Sequence, residues 1–150
     1  MFRLSTKSDY GLILLSNLAS RAKAKTRNLP RRSIANSGSL QGQLSNYLSI
    51  ACIAKKNQHS AKFLSQVAQE LKRAGIITAK EGVSGGYTLA KRADDIKILD
   101  VLKTLDGELV RGECFDDDHE CHCGGKDIWM EMKAQMEQTI GKKTVADLVV

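Results

Sequence analysis

The sequence lacks any long run of apolar residues. No stretch reaches the roughly 18 residues that a membrane-spanning helix needs, so no transmembrane segment is expected. The N-terminus also lacks the apolar core and the cleavage site of a secretory signal, because Asp9 interrupts it early. We therefore expect a cytoplasmic protein with no membrane partner.

Acidic residues are almost absent from the first third of the chain. Asp9 is the only acid among residues 1–51, which also hold eight lysines and arginines. A basic surface of this kind suits a polyanion such as DNA, because neutralised phosphates release counterions, but it also fits an ordinary solvated face. Acids gather instead between Glu113 and Glu120, a stretch with five acids and no lysine or arginine.

Two kinds of catalytic motif are also missing. The sequence shows no arrangement of a nucleophile and a base, and its glycine-rich string GVSGG does not open a helix as a phosphate-binding loop would. We therefore expect neither an enzyme nor a small-molecule substrate. The 150 residues suffice for one compact domain, or for one domain plus a dimerising helix.

The middle of the chain carries the pattern of a winged helix-turn-helix. A helix over Ser49–Lys56 and a second over Ala61–Ala74 are separated by a polar break, with Ser60 as the N-cap of the second helix. A strand over Ile76–Ala79, a glycine-rich turn and a returning strand over Tyr87–Leu89 form the wing. In this layout the second helix enters the major groove and the wing reaches the neighbouring backbone.

Helical spacing of apolar residues predicts three further helices, at Thr6–Ala19, Ile98–Leu105 and Asp127–Ile140. The apolar stripe of the last one fits either a homodimer interface or packing against its own domain. The predicted fold is mainly α with a small β wing and a long C-terminal dimerisation helix. Its predicted parts are a winged helix-turn-helix DNA-binding domain (1–107, with an atypical linker at 21–47), a cysteine loop (108–125), and a dimerisation helix and tail (126–150).

Three of the four cysteines lie within ten residues, at Cys114, Cys121 and Cys123. In a cytoplasmic protein such a group indicates metal or redox chemistry before structural disulfides. Thiolates are soft ligands that suit an iron–sulfur cluster or zinc, although zinc sites usually separate paired cysteines by two to four residues. A cluster-free thiol switch is the third reading. Cys52, among apolar neighbours, is predicted to pack in the core.

Three segments together resemble the bacterial winged-helix regulators of the IscR and NsrR kind, transcription factors that typically use an iron–sulfur cluster as a sensor. The segments are LSTKSDYGLILLSNLA, LKRAGIITAKEGVSGGYTLAK and KTVADLV. The resemblance implies a homodimeric transcription regulator, mostly a repressor, that binds a two-fold operator in double-stranded DNA. It also implies that a 2Fe-2S or 4Fe-4S cluster controls operator affinity in response to nitric oxide, iron or cluster status, or redox stress.

The resemblance also implies a ligand set, because the cysteine loop lies where the family carries three cluster-binding cysteines. In NsrR-like members an aspartate in the first helix of the partner subunit completes the site, and Asp9 matches that position. His122 is the alternative fourth ligand. Lys126 stands where IscR-like members carry a histidine, and the last two cysteines are closer together than is usual in the family. The cluster type therefore stays open, and zinc is the alternative cofactor.

DNA contacts are expected from the second helix of the helix-turn-helix and from the wing. The N-terminal residues of this helix are expected to face base edges, and its basic C-terminal end is expected to meet phosphates. The wing tip is expected to approach the DNA backbone closely. An ordinary solvated side chain is the alternative for each lysine. The candidates are Ser60, Lys62 and Gln66 for bases, Lys72, Arg73 and Lys80 for phosphates, Ser84 and Gly85 at the wing tip, and, from the resemblance, Tyr10 and Arg3.

Overall fold

The structure, a computed structural model, describes residues 5–27, 47–108 and 124–149. Within these ranges it contains α-helices, one two-stranded sheet and short 3-10 helices at Ala93–Asp95 and Val145–Leu148. The larger elements are α1 (Thr6–Arg27), α2 (Ile50–Asn57), α3 (Ala61–Arg73), β1 (Ile77–Lys80), β2 (Gly86–Leu89), α4 (Ile98–Asp106) and α5 (Lys126–Gly141). The predicted mainly helical fold with a small wing is confirmed. None of the helices in the described ranges combines the length and the hydropathy that a bilayer crossing requires.

One hydrophobic core joins α1, α3 and α4. In α3, the side chains of Leu64, Val67, Ala68 and Leu71 recur at helical spacing and are each at most 1% exposed. They share the core with Leu14 and Leu15 of α1 and with Val101 and Leu102 of α4. Because full burial of one such side chain stabilises the fold by about 1.5–3 kcal/mol, this face fixes the position of α3.

A tight turn separates α2 from α3, as the sequence predicts. The Ser49 hydroxyl accepts the backbone N–H of Cys52 at 3.2 Å and caps α2. At the other end Gln58 adopts a left-handed conformation (φ 55°), and the N–H of His59 donates to the carbonyl of Ala54 at 3.0 Å. The Ser60 hydroxyl then accepts the N–H of Phe63 at 3.4 Å, so the predicted N-cap of the second helix is confirmed.

The wing is attached to the start of the helix-turn-helix through a pairing that sequence patterns did not predict. β1 and β2 pair antiparallel, with Ile77 opposite Leu89. Leu48 then pairs with Tyr87 on the other edge of β2 through hydrogen bonds of 2.9 and 2.8 Å. This approach needs a glycine, because a Cβ on Gly86 (φ 142°) would lie 2.4 Å from the carbonyl oxygen of Leu48.

Two expectations from the sequence are wrong. The first helix was predicted to end at Ala19, but α1 continues to Arg27, because alanine, lysine and arginine are good helix formers even where the apolar pattern stops. Cys52 is exposed and not packed in the core. The buried residues of α2 are Ile53 and Ala54, and Cys52 falls off that face. The rest of the predicted linker, residues 28–46, lies outside the described residues.

The C-terminal segment docks back onto the domain. Its backbone bonds to the start of α4, where Ile98 N–H donates to Lys143 and Val145 N–H donates to Ile96, both at 2.9 Å. The side chain of Val145 is completely buried. The N–H and hydroxyl of Thr144 both donate to Asp147 and lower the pKa of that carboxyl below its usual value. The KTVADLV string therefore closes the domain on itself.

Candidate DNA-binding interface

One exposed face of α3 carries a row of polar side chains, which we call the α3 stripe: Lys62, Gln66, Gln69 and Arg73. Intervals of four, three and four residues place them on one side of the helix, opposite the buried apolar face. The stripe combines two amides with two cations and contains no acid. Gln69 was not among the candidates, although its spacing of three from Gln66 was a signal in the sequence.

The two ends of α3 hold further predicted contact residues. Ser60 is exposed at the N-terminal end while its hydroxyl caps the helix, so one side chain sets the helix start and faces solvent. Lys72 is exposed in the last turn, beside Arg73. There both cations also interact favourably with the negative end of the helix dipole.

The wing tip is built by a glycine turn. The N–H of Gly85 donates to the carbonyl of Gly82 at 2.9 Å, and a Cβ on Gly85 would lie 2.2 Å from the carbonyl oxygen of Lys80. Ser84 is exposed at this tip. The ammonium group of Lys80 lies 5.9 Å from the centre of the Tyr47 ring, within the range of a cation–π contact. Lys80 therefore places a cation on the wing, and the tip also exposes the acid Glu81 and the apolar Val83.

Tyr10 does not stand free on the surface of α1. Its ring centre lies 4.6 Å from that of His59 in the turn, and 4.8 Å from that of Phe63 in an edge-to-face arrangement. Edge-to-face aromatic pairs add about 0.5–1.5 kcal/mol to the burial of their area. Tyr10 therefore joins α1 to the helix-turn-helix, and its predicted backbone contact stays a prediction. Arg3 lies outside the described residues.

The start of α1 is also joined to the end of α4. The carboxylate of Asp106 accepts the N–H of Ser5 at 3.1 Å, the hydroxyl of Ser8 at 2.6 Å, and the hydroxyl of Ser5. Partial burial raises the pKa of Asp106, but the hydrogen bonds from Ser5 and Ser8 outweigh it and hold the pKa below its usual value. This carboxylate is therefore charged at neutral pH and lies at the positive end of α1.

The predicted metal ligands are only partly within the described residues. Asp9 is exposed in the first turn of α1. Cys114, Cys121, Cys123 and His122 lie outside the described ranges. In the part of the chain that the structure describes, no three histidine, cysteine or acidic side chains are grouped so that they could hold a metal ion. The ligand set therefore stays a prediction, as does the division into domains.

Comparison with known proteins links the chain to one family of regulators. A family model described as Rrf2, iron-dependent transcriptional regulator, matches residues 39–150. Protein rrf2 of Nitratidesulfovibrio vulgaris is 34% identical over 98% of this chain and 87% of its own length. The HTH-type transcriptional regulator CymR of Bacillus subtilis is 24% identical over 97% of this chain and 88% of its own length.

Solved structures of transcriptional regulators also resemble this chain. The structure of CymR, the global cysteine regulator of B. subtilis, matches with a TM-score of 0.72 at 25% identity, covering 99% of this chain and 96% of that one. That of IscR from T. potens matches with a TM-score of 0.68 at 25% identity, covering 97% and 85%. These relatives are transcriptional regulators, in keeping with the expectation that the chain is not an enzyme. The chain belongs to the Rrf2 family of transcriptional regulators, whose members bind DNA.

Proposed function

We propose that this protein is a homodimeric transcription repressor whose affinity for its operator is controlled by an iron–sulfur cluster. The observation that carries the DNA-binding part is the α3 stripe. Two amides and two cations stand on one exposed face of a helix whose other face is completely buried. A rigid helix of this kind presents base-reading groups without first having to order them.

The surroundings of the stripe suit a DNA duplex. Amide side chains pair with adenine in the major groove, whereas Lys72 and Lys80 bring positive charge to flanking phosphates. The glycine turn at Gly82 and Gly85 lets the wing come close to the sugar–phosphate backbone. The only acid of α3, Glu70, is held by Lys7 at 3.1 Å, which reduces its repulsion of phosphate.

The chemistry of the donor set fits an iron–sulfur cluster. Cys114, Cys121 and Cys123 supply three thiolates, and a carboxylate could supply the fourth ligand. The exposed carboxylate of Asp9 stands at the surface of α1, where a second chain can reach it. His122 is the alternative. When bound, the cluster would supply a centre that reacts with nitric oxide or oxidants. The family's description as iron-dependent supports this choice.

The homodimer is supported by the apolar side chains of α5. Its first half exposes 68% of Ile128, 44% of Trp129 and 41% of Met132. Its second half packs on its own domain through Met136 and Ile140, and Lys103 bridges to Glu137 at 3.2 Å. An exposed cluster of large apolar residues marks an interaction surface. The exposed first half of α5 thus supports a homodimer interface, and its second half packs against its own domain, which are the two roles that the sequence allowed.

A cluster-free thiol regulator is the second candidate. Two structural relatives favour it: B. subtilis CymR is called the global cysteine regulator, and Staphylococcus aureus CymR has been solved in an oxidised form. In this chain the exposed thiol of Cys52 on α2 stands within the helix-turn-helix. A zinc-stabilised DNA-binding protein is the remaining alternative for the loop cysteines.

Anaerobic purification with metal analysis distinguishes these functions. We expect a brown protein that contains iron and sulfide, and we expect Cys114→Ser to remove both, because a thiolate ligand is lost. Cys52→Ser is the matched control and should keep the full cluster content. A colourless protein with stoichiometric zinc would favour the zinc alternative, and a metal-free protein would favour the thiol switch.

The fourth ligand is tested on the same material. Asp9→Ala should change the visible spectrum and shorten the lifetime of the cluster in air, whereas His122→Ala should change neither. An unchanged spectrum and lifetime for Asp9→Ala would contradict its assignment. The reverse pattern would assign the site to His122.

A further inference from the structure

We propose that Asp106 is a positioning residue that couples the cysteine loop to α3, the recognition helix that is predicted to enter the major groove, through the first two turns of α1. This inference rests on the proposed function, because it states how a change in the loop reaches the DNA-binding surface. Asp106 lies outside both the α3 stripe and the proposed ligand set. Two sets of contacts and the position of Asp106 in the chain support the proposal.

The first set holds α1 to Asp106. One carboxylate accepts hydrogen bonds from the backbone N–H and hydroxyl of Ser5 and from the hydroxyl of Ser8. The Ser5 hydroxyl also accepts the N–H groups of Lys7 and Ser8, at 3.1 and 3.4 Å, as the N-cap of α1. Asp106 therefore binds the residue that sets where α1 begins. Ser8 is completely buried, so its hydroxyl has to follow any displacement of the carboxylate or lose its partner.

The second set holds the same two turns of α1 to α3. Lys7 bridges to Glu70 at 3.1 Å, and the Tyr10 ring packs edge-to-face on Phe63. Gly11 permits close packing, since a Cβ there would lie 2.3 Å from Leu105 and 3.7 Å from Val67. A shift of this segment would therefore displace its contacts with both ends of α3 and with the core between α3 and α4, because these groups are closely packed.

The third observation is the place of Asp106 in the chain. It is the last residue of α4, and Gly107 (φ 75°) turns the backbone out of the helix. Cys114 follows only eight residues later. Glu108, the next residue but one, bridges to Lys133 of α5 at 3.5 Å. A rearrangement of the cysteine loop would therefore act on the end of α4 within a few residues, where Asp106 is the polar side chain that contacts α1.

The test compares DNA affinity in two states of the loop. The probe is a duplex oligonucleotide that the wild-type protein selects from a random pool. We define the loop response as the ratio of the Kd values of metal-free and cluster-loaded protein for this duplex. Coupling between sites is typically 5- to 150-fold, and we expect a wild-type response of at least about fivefold on that scale.

Asp106→Asn and Ser8→Ala should both reduce the loop response to within about twofold, because each breaks the link between α4 and α1. Iron and sulfide content should stay at the wild-type level, which a general loss of structure would not permit. Asp100→Asn is the matched control, since it removes an exposed carboxylate from the same helix, and its response should equal that of the wild type.

Hydrogen exchange keeps the proposal testable if either variant fails to fold. In the wild-type chain, the amides of residues 5–11 should exchange at different rates in the two loop states, and those of Phe63 and Glu70 should change with them. Equal rates would overturn the coupling, as would an unchanged loop response in a folded Asp106→Asn variant. A wild-type protein without any loop response would contradict the proposed function itself.

Discussion

Gln66→Ala is expected to weaken binding to the selected duplex by 1–3 kcal/mol, or roughly 5- to 150-fold, the usual worth of a bidentate base contact. The amide of Gln66 is exposed in the middle of the α3 stripe, on a helix held by a buried face. Its loss would remove the proposed base contact but no charge. Binding to unrelated DNA should therefore stay within about twofold, since that binding depends on phosphate contacts.

The matched control is Lys72→Ala, on the same helix. This change removes a cation, so we expect it to weaken binding to selected and unrelated duplexes alike and to reduce the slope of log K against log salt by about 0.9. Fluorescence anisotropy at several salt concentrations measures both quantities. Equal losses of Gln66→Ala on the two duplexes would contradict base reading by the stripe.

Trp129→Asp is expected to convert the proposed homodimer to a monomer and to reduce operator affinity on the order of 100-fold, because a two-fold operator would then be bound by one half-site at a time. Trp129 lies in the exposed apolar part of α5, beside Ile128. A charge buried there in a dimer interface would lose its hydration without gaining a partner. Light scattering after size-exclusion chromatography measures the mass.

Gln138→Asp is the control for this change. It places the same charge on the same helix, at an exposed position beyond the exposed apolar residues of its first half. We expect it to leave both the mass and the operator affinity of the wild type. A dimeric Trp129→Asp protein with full affinity would show that α5 does not hold the subunits together.

The sequence predicts the helix-turn-helix and the wing well because their signals are local. Ser60 caps α3 only three residues from its partner, and the apolar spacing from Leu64 to Leu71 identifies the buried face. The pairing of Leu48 with Tyr87 joins residues far apart in the chain, so no local pattern shows it. The end of α1 was missed because the apolar periodicity stops before the helix does.

The candidate site also combines features that local sequence patterns predict with contacts between distant residues that they do not. The α3 stripe follows from helical periodicity, and even Gln69 could have been identified by it. The contact of Asp106 with Ser5 and Ser8 spans about a hundred residues, and only the packing of α1 on α4 brings these side chains together. The packing of Tyr10 on His59 and Phe63 likewise joins residues far apart in the chain, while its predicted contact with the DNA backbone stays a prediction.

The operator affinity of one anaerobic preparation, measured before and after exposure to nitric oxide, shows whether a cluster at Cys114, Cys121 and Cys123 controls DNA binding by the winged helix. We predict an iron- and sulfide-containing protein whose Kd for the selected duplex changes by at least about fivefold when the cluster is destroyed. The Cys114→Ser protein should not respond. An identical Kd before and after loss of the cluster, or the same response in Cys114→Ser, would contradict the account.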